Sequence, residues 1–591
     1  DAGAMIQRIG STSGPEVDRG IPDLASIRDA DWTRIWEEPL LDTLYRRRYY
    51  DSVDGRAFSE SNASRARLAA SSMTTVPAVH GDLVLVNEGF LIRGFDRYTG
   101  RMRWFRDFGV SRGMRPSGTP GDLGEIVIEG DAAFTVVGHA FGAGREGTGE
   151  ILRFDPETGL ERWRIQPERL FDDGSLDGSF ISGPPLPLGD IVAVPLRKSN
   201  TRLETIEYVL AIDRVDGGLR WLRPIASSGG VRMGGARTFA RLAAYDGDVV
   251  VSSAAGAIAR LEARNGRVRW LRREDVPLRA PRIPAMPWEI AGPVVLDVGI
   301  ATLDPAGEHW LLLDPETGEA LLRRPVGPGT VAGAVRYLLA FPDPDGERDL
   351  LLAIGNDIVA LDPSTGEAPV WTLFRSIVDA EDRNETGSVS WSSGVRGRVA
   401  VVPGAVLVPY LDVLVLIDGR TGEMDRLIRI PGGGNVLATR AGIFAAGDDR
   451  LVAYMPLAEA VATLRERVRR FPDAIVQALA LLELAGGLGD RALVLEAAEA
   501  AVGGLARIPD AILRAELLDR LLESVETSTD PRDGERLLEL ASEVANTPEG
   551  RVRRQLALGD WMSRQGRIED AVEAWATILE STALATVVIE A

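Results

Sequence analysis

The 591-residue chain contains no cysteine, which excludes disulfides, thiolate metal sites and cysteine nucleophiles together. Histidine is almost as scarce. The three present, His80, His139 and His309, lie far apart and form no metal-spaced pair, so each reads as a turn or strand residue. Lysine occurs once, at Lys198, and arginine carries the rest of the positive charge. Positive charge is itself in deficit. The formal net charge is −20, the wrong sign for nucleic acid and for anionic membrane surfaces. No apolar run is long enough to span a bilayer. Residues 1–20 lack the basic start and apolar stretch of a signal peptide, as expected of a cytoplasmic chain or of a mature form after cleavage. There is no nucleophile elbow and no recognisable triad order.

What the chain has is a repeat. Its first copy is Asp96 to Gly100 with Trp104 four residues on; the second is Asp155 to Gly159 with Trp163. The third runs from Asp213 to Gly217 and Trp221, and the fourth has Glu262 in place of aspartate, then Gly266 and Trp270. Asp314 to Gly318, Asp362 to Gly366 and Asp418 to Gly422 complete the series. Successive acidic positions lie 48 to 59 residues apart, a length that suits a four-stranded antiparallel blade. Each position has a physical reason. The aspartate accepts hydrogen bonds from turn amides, and proline after it (Pro156, Pro315, Pro363) presets φ for a type I turn. The glycine takes the positive φ of a three-residue hairpin with a bulge. The tryptophan, on the returning strand, buries on the order of 200 Å² against a neighbouring blade.

Apolar strands such as Asp82–Val86, Asp190–Val194 and Asp248–Val251 precede the turns. Gly442–Ala445 and Leu451–Tyr454 supply two more without a turn motif, giving an incomplete eighth blade closed by a strand from upstream of Thr75. The expected organisation is therefore an N-terminal segment over 1–74, an eight-bladed β-propeller over 75–455 and an α-helical hairpin domain over 456–591. In the first segment Trp32, Ile35, Trp36, Leu40, Leu44 and Tyr45 suggest helical turns. From Pro456 onward the apolar period becomes helical, with Leu457, Val461, Leu464 and Val468 on one face and Pro472 opening the next helix. Leu558, Gly559, Met562, Gly566, Ala571 and Trp575 match the spacing of a tetratricopeptide repeat. Ala583–Ala591 is more apolar than a free tail.

The pattern of a small residue, then Asp-x-x-Thr-Gly-x-x-x-Trp, resembles the quinoprotein-type propeller repeat, named for enzymes that use pyrroloquinoline quinone (PQQ). The same repeat builds the lipoprotein propeller of the bacterial outer-membrane β-barrel assembly machinery. The small residue is kept at Gly94, Ala211 and Ala360 but replaced at Arg153, Arg260, Leu312 and Leu416. The tryptophan becomes Leu322 in copy five, shifts to Trp371 in copy six and becomes Arg426 in copy seven, so those blades are expected to pack less regularly. The resemblance implies a bacterial protein exported to the periplasm or cell surface. It leaves function open, because fold does not imply function.

Three function classes remain. The preferred expectation is a non-enzymatic interaction or scaffold protein, a subunit of a larger assembly with other proteins as partners and no cofactor. The alternative is a quinoprotein oxidoreductase holding PQQ with calcium, although the adjacent-cysteine disulfide of the alcohol dehydrogenases is impossible here. The third is carbohydrate or small-ligand binding. Segments leading into inner strands carry Arg115, Arg237, Trp288, Trp391 and Arg396, which would border one mouth of the central channel. Gly432-Gly433-Gly434 lies between two strands and reads as an inter-blade turn, not a phosphate cradle. Arg46-Arg47-Arg48 beside Tyr49 and Tyr50 reads as a solvated face, and Asp172-Asp173 and Asp448-Asp449 as exposed turns.

Overall fold

The computed structural model describes residues 32–40, 75–89, 91–108, 125–137, 149–199, 205–228, 241–253, 255–275, 292–305, 307–327, 329–332, 335–342, 349–355, 357–373, 395, 397–410, 413–430, 433–439, 442–447, 450–507 and 510–580. It divides into two compact units, Asp1–Tyr454 and Met455–Ala591. Among the described residues of the first unit the strands form eight sheets, seven of four strands and one of five. Numbered along the chain, blades 1 to 7 span 78–107, 127–165, 179–228, 242–273, 294–325, 335–373 and 400–429. Blade 8 joins 435–456 to a strand from far upstream, Trp32–Pro39. The inner strands of successive blades lie side by side from blade 1 to blade 8. This is the expected eight-bladed propeller.

The repeat motif performs the turn chemistry its residues suggest. In blade 1, Asp96 Oδ1 accepts from the amides of Tyr98 and Thr99, both at 3.1 Å. Gly100 N donates to Asp96 O at 2.8 Å with Gly100 at φ +74°. Asp155, Asp213, Asp314 and Asp418 accept from the same two turn positions. One detail differs from expectation. Asp96 N bonds to Arg101 O, so residues 97–100 form a four-residue turn where a three-residue one was expected. The bulge is real but sits one step further on, where Gly94 faces Trp104 and Phe95 faces Met102, leaving Arg103 extra. That bulged arginine reaches back to Asp96 Oδ2 at 3.0 Å, and Arg162 does the same to Asp155.

The tryptophans join the blades. Each buried motif indole covers the turn glycine of the next blade. Four of them donate their N–H to the carbonyl of the residue after the turn's acidic group, whereas the N–H of Trp104 over Gly159 has no partner among the described residues. Trp163 donates to Arg214 O at 3.1 Å, Trp221 to Ala263 O at 2.8 Å, Trp270 to Pro315 O at 2.8 Å and Trp371 to Gly419 O at 2.7 Å. A Cβ on Gly266 would stand 2.6 Å from Trp221, so glycine is required there for close approach as well as for φ. The small repeat position lies directly across the sheet from the tryptophan, as in Ala211↔Trp221 and Ala360↔Trp371. Where arginine replaces it, the arginine grips the next turn as well. Arg153 donates to Arg214 O and Val215 O, and Arg260 to Pro315 O. Blade 5 compensates for Leu322 differently, because Trp310 and Leu322 together cover Gly366.

The ring closes through Trp36. Its indole donates to Arg97 O at 2.8 Å, and a Cβ on Gly100 would lie 2.7 Å from it. Trp36 therefore does for blades 8 and 1 what the motif tryptophans do elsewhere. The helical turns expected around Trp32–Leu40 are thus corrected to a strand. Trp32 and Trp36 share one face at a spacing of four, which fits an extended strand as well as a helix. Leu44 and Tyr45 lie outside the described residues. Arg93 fastens the end of this strand, with Nη2 on Pro39 O at 3.0 Å and Nε on Glu88 at 2.8 Å. Arg450 pairs with Glu37 at 2.5 Å.

The second unit holds α1 (Leu457–Arg470), α2 (Ile475–Leu488), α3 (Arg491–Arg507), α4 (Ala511–Thr527), α5 (Pro531–Val544), α6 (Pro548–Arg564) and α7 (Ile568–Glu580). Short links make neighbours pack as hairpins, and α2 also meets α4, α3 meets α5 and α4 meets α6, so the hairpins stack. Pro472 lies in the link, and α2 begins at Ile475 where Pro472 was expected to open it. Gly534 and Gly559 leave room for the indoles of Trp561 and Trp575.

Trp36→Ala should lower the stability of the propeller by about 3 kcal/mol, the scale for truncating a buried tryptophan. Arg34→Ala, on an exposed residue of the same strand, should change it by less than about 0.5 kcal/mol. Thermal melts of both variants check this; equal midpoints would refute closure through Trp36.

Candidate functional site

The strands that enter the sheets from the ring's inside define one mouth of the channel. Glu125 precedes the inner strand Val127–Glu129 of blade 2, Arg241 precedes Leu242–Tyr245 of blade 4, and Arg398 precedes Ala400–Val402 of blade 7. Because each stands just before an inner strand, all three lie on the same face. Their side chains meet. Arg241 Nη2 binds Glu125 Oε1, and Arg398 Nη1 lies 3.2 Å from Glu125 Oε2. Three blades that do not adjoin one another are thereby tied across the channel.

The backbone beneath these side chains is fixed by buried hydrogen bonds between adjacent blades. Thr135 Oγ1 donates to Glu125 O at 2.8 Å and accepts from Asn87 Nδ2 of blade 1 at 2.8 Å. Arg398 N donates to Asn435 Oδ1 of blade 8 at 2.8 Å, and Asn435 Nδ2 donates to Thr75 O at 2.8 Å. Val399 N donates to the Tyr337 hydroxyl of blade 6 at 3.3 Å. Gly292, leading into blade 5, leaves room for Arg241; a Cβ there would be 2.6 Å from Arg241 Cβ. Among the described residues, every blade except blade 3 contributes to this arrangement.

The electrostatics are those of an anchor. Side-chain exposure is 11% for Glu125, 15% for Arg398 and 27% for Arg241. Burial pushes the Glu125 carboxyl upward, but Arg241 and Arg398 outweigh it and hold the group below its ordinary value. Burial pulls Arg398 below the usual arginine range, Glu125 opposes this, and repulsion from Arg241 adds to it.

The residues picked out from sequence as a mouth surface, Arg115, Arg237, Trp288, Trp391 and Arg396, lie outside the described residues, as do His139, Arg46–Arg48, Tyr49, Tyr50, Asp448 and Asp449. Arg241 and Arg398, which are described, stand a few residues beyond Arg237 and Arg396 in sequence. Arg241 and Arg398 themselves carried no distinguishing pattern in so arginine-rich a chain. Glu125 had none either. His309 Nδ1 pairs with Asp304 Oδ2 at 2.9 Å, and His80 Nε2 lies 3.9 Å from Glu157. Gly433 and Gly434 have φ +72° and +150° in the link between blades 7 and 8, as an inter-blade turn requires. Asp173 accepts from Ser175 N at 2.8 Å within a turn. Among the described residues no group of three or more His, Asp and Glu is placed to hold a metal ion.

The family model described as outer membrane protein assembly factor BamB matches residues 48–286 and, overlapping, 147–371. The chain belongs to this family of PQQ-like repeat propellers. No curated protein matches it. Among solved structures, BamB from Moraxella catarrhalis is similar at 14% identity, covering 72% of this chain and 100% of that one with TM-score 0.43. Quinohemoprotein alcohol dehydrogenase from Comamonas testosteroni is similar at 11% identity, covering 74% and 78% with TM-score 0.49. At such values they add nothing about chemistry. PQQ with calcium calls for an oxygen-rich cation cage beside the quinone. The described carboxylate at this mouth, Glu125, is engaged by two guanidiniums, so the described residues do not fit that group and no reaction step is derived from it.

Glu125 also sets a pH dependence. With its folded pKa below the ordinary 4.5, its ion pairs stabilise the protein fully above that value and are lost as pH falls through the lowered one. Wild type should exceed Glu125→Gln in melting temperature near pH 7, and the two should converge as the pH falls below the ordinary carboxylate range. Melts across this range decide it; parallel profiles would contradict the arrangement.

Proposed function

We propose that this propeller is a non-enzymatic interaction protein, a scaffold subunit of a bacterial cell-envelope assembly exported to the periplasm or cell surface. The observation that carries this reading is the state of the mouth. A general base is tuned toward the operating pH; Glu125 is driven the other way and held by two cations, as befits an anchor. The family description, an assembly factor of the outer membrane, supports the same reading. So does the second unit, whose stacked hairpins, with Gly559 against Trp575, we read as tetratricopeptide-like. Propellers and helical stacks both offer broad surfaces to other proteins.

Affinity purification from the native host should recover stable protein partners, and fractionation should place the protein outside the inner membrane. A lone monomer with turnover in a substrate screen, or a quinone chromophore released on denaturation, would overturn the proposal.

A further inference from the structure

Among the described residues the mouth cluster holds two cations and one anion. Among the described residues Arg241 and Arg398 share the single carboxylate of Glu125, which leaves one positive charge in excess at a site that is mostly removed from water. Repulsion between the two guanidiniums contributes to the electrostatics of Arg398. The Nε of Arg398 is buried and has no hydrogen-bond partner, and Glu125 Oε2, which pairs with Arg398 Nη1 at 3.2 Å, makes no hydrogen bond of good geometry. A guanidinium presents five donors in a fixed fork matched to carboxylate oxygens, so part of this site's donor capacity is unused. The excess is local, for the chain as a whole carries −20.

We propose that this mouth receives one carboxylate from an acidic segment of a partner protein, seated between Arg241 and Arg398 beside Glu125. The proposal rests on the interaction reading above and specifies the chemistry of the partner. Within the described cluster one guanidinium is in excess over the one carboxylate, so one acid balances it. Magnitude selects a polypeptide. A single hydrogen-bonded charge pair leaves a free monocarboxylate bound only at about millimolar concentrations or weaker. Useful affinity requires that the acid be carried on a surface that touches the surrounding rim as well. The hydrogen bonds from Asn87, Thr135, Tyr337 and Asn435 hold the receiving groups in place beforehand, which lowers the ordering cost of binding.

The test is selection of a random dodecapeptide library on the full chain, followed by titration of the selected peptides. Selected sequences should share one aspartate, glutamate or free C-terminal carboxylate. Neutralising that group should weaken binding about tenfold or more, the effect of losing one charge-assisted hydrogen bond. Arg241→Gln should weaken it similarly, whereas Glu125→Gln, which leaves a second cation unbalanced, should strengthen it. Because misfolding lowers affinity in every variant, the gain in Glu125→Gln separates binding from damage. Selected peptides without acidic enrichment, affinities unchanged in both variants, or displacement by citrate at equal carboxylate concentration would each overturn the proposal. Failure of the host purification with success here would remove the scaffold reading and leave the carboxylate site standing.

Discussion

The propeller depends on one contact repeated around a ring: an indole laid over a glycine, its N–H donated to the neighbouring turn at five of these seams. The contact needs four things at once. The glycine must have no side chain, the turn must point a carbonyl outward, the acidic residue must hold that turn, and the strand must deliver the tryptophan. Loss of any one leaves a buried indole N–H or an uncovered turn. This explains why replacements around the ring are conserved in role. Arg153 and Arg260 donate to the same turn carbonyls that the indoles use, and Trp310 fills the place that Leu322 leaves open.

The ring places the mouth cluster. Glu125, Arg241 and Arg398 lie far apart in the sequence, yet each occupies the equivalent position before an inner strand. Eight-fold repetition of the blade brings equivalent positions to one face and near one axis, so three side chains become neighbours. A buried ion pair is a poor source of net stability, since desolvation consumes much of its attraction. Its better-attested role is to specify an arrangement, here the spacing of three blades around an opening.

The fold was legible because its determinants are local. Each turn is written within six or so residues, and the tryptophan lies four residues later, so seven blades could be counted directly. What was illegible involved distance or degeneracy. Trp32–Pro39 has apolar residues spaced to suit either a helix or a strand, and only pairing with a strand some four hundred residues later decides for the strand. The missing partner for Gly100 was nonetheless a clue: counting turns against tryptophans leaves that turn without an upstream indole, and Trp36 was available. The residues of the mouth cluster were not legible. Two arginines among so many carry no mark of their own until the ring brings them to one glutamate.

The closing strand also imposes an order of events on synthesis. Glu37 and Arg450, which pair across the seam, are 413 residues apart. At roughly 5–20 residues per second, the strand carrying Trp32 and Trp36 waits roughly 20–80 seconds for its sheet to be made. During that interval it is an unpaired strand with two tryptophans, the kind of segment that aggregates or recruits a chaperone. A latch that makes the finished ring secure therefore makes the unfinished chain dependent on protection.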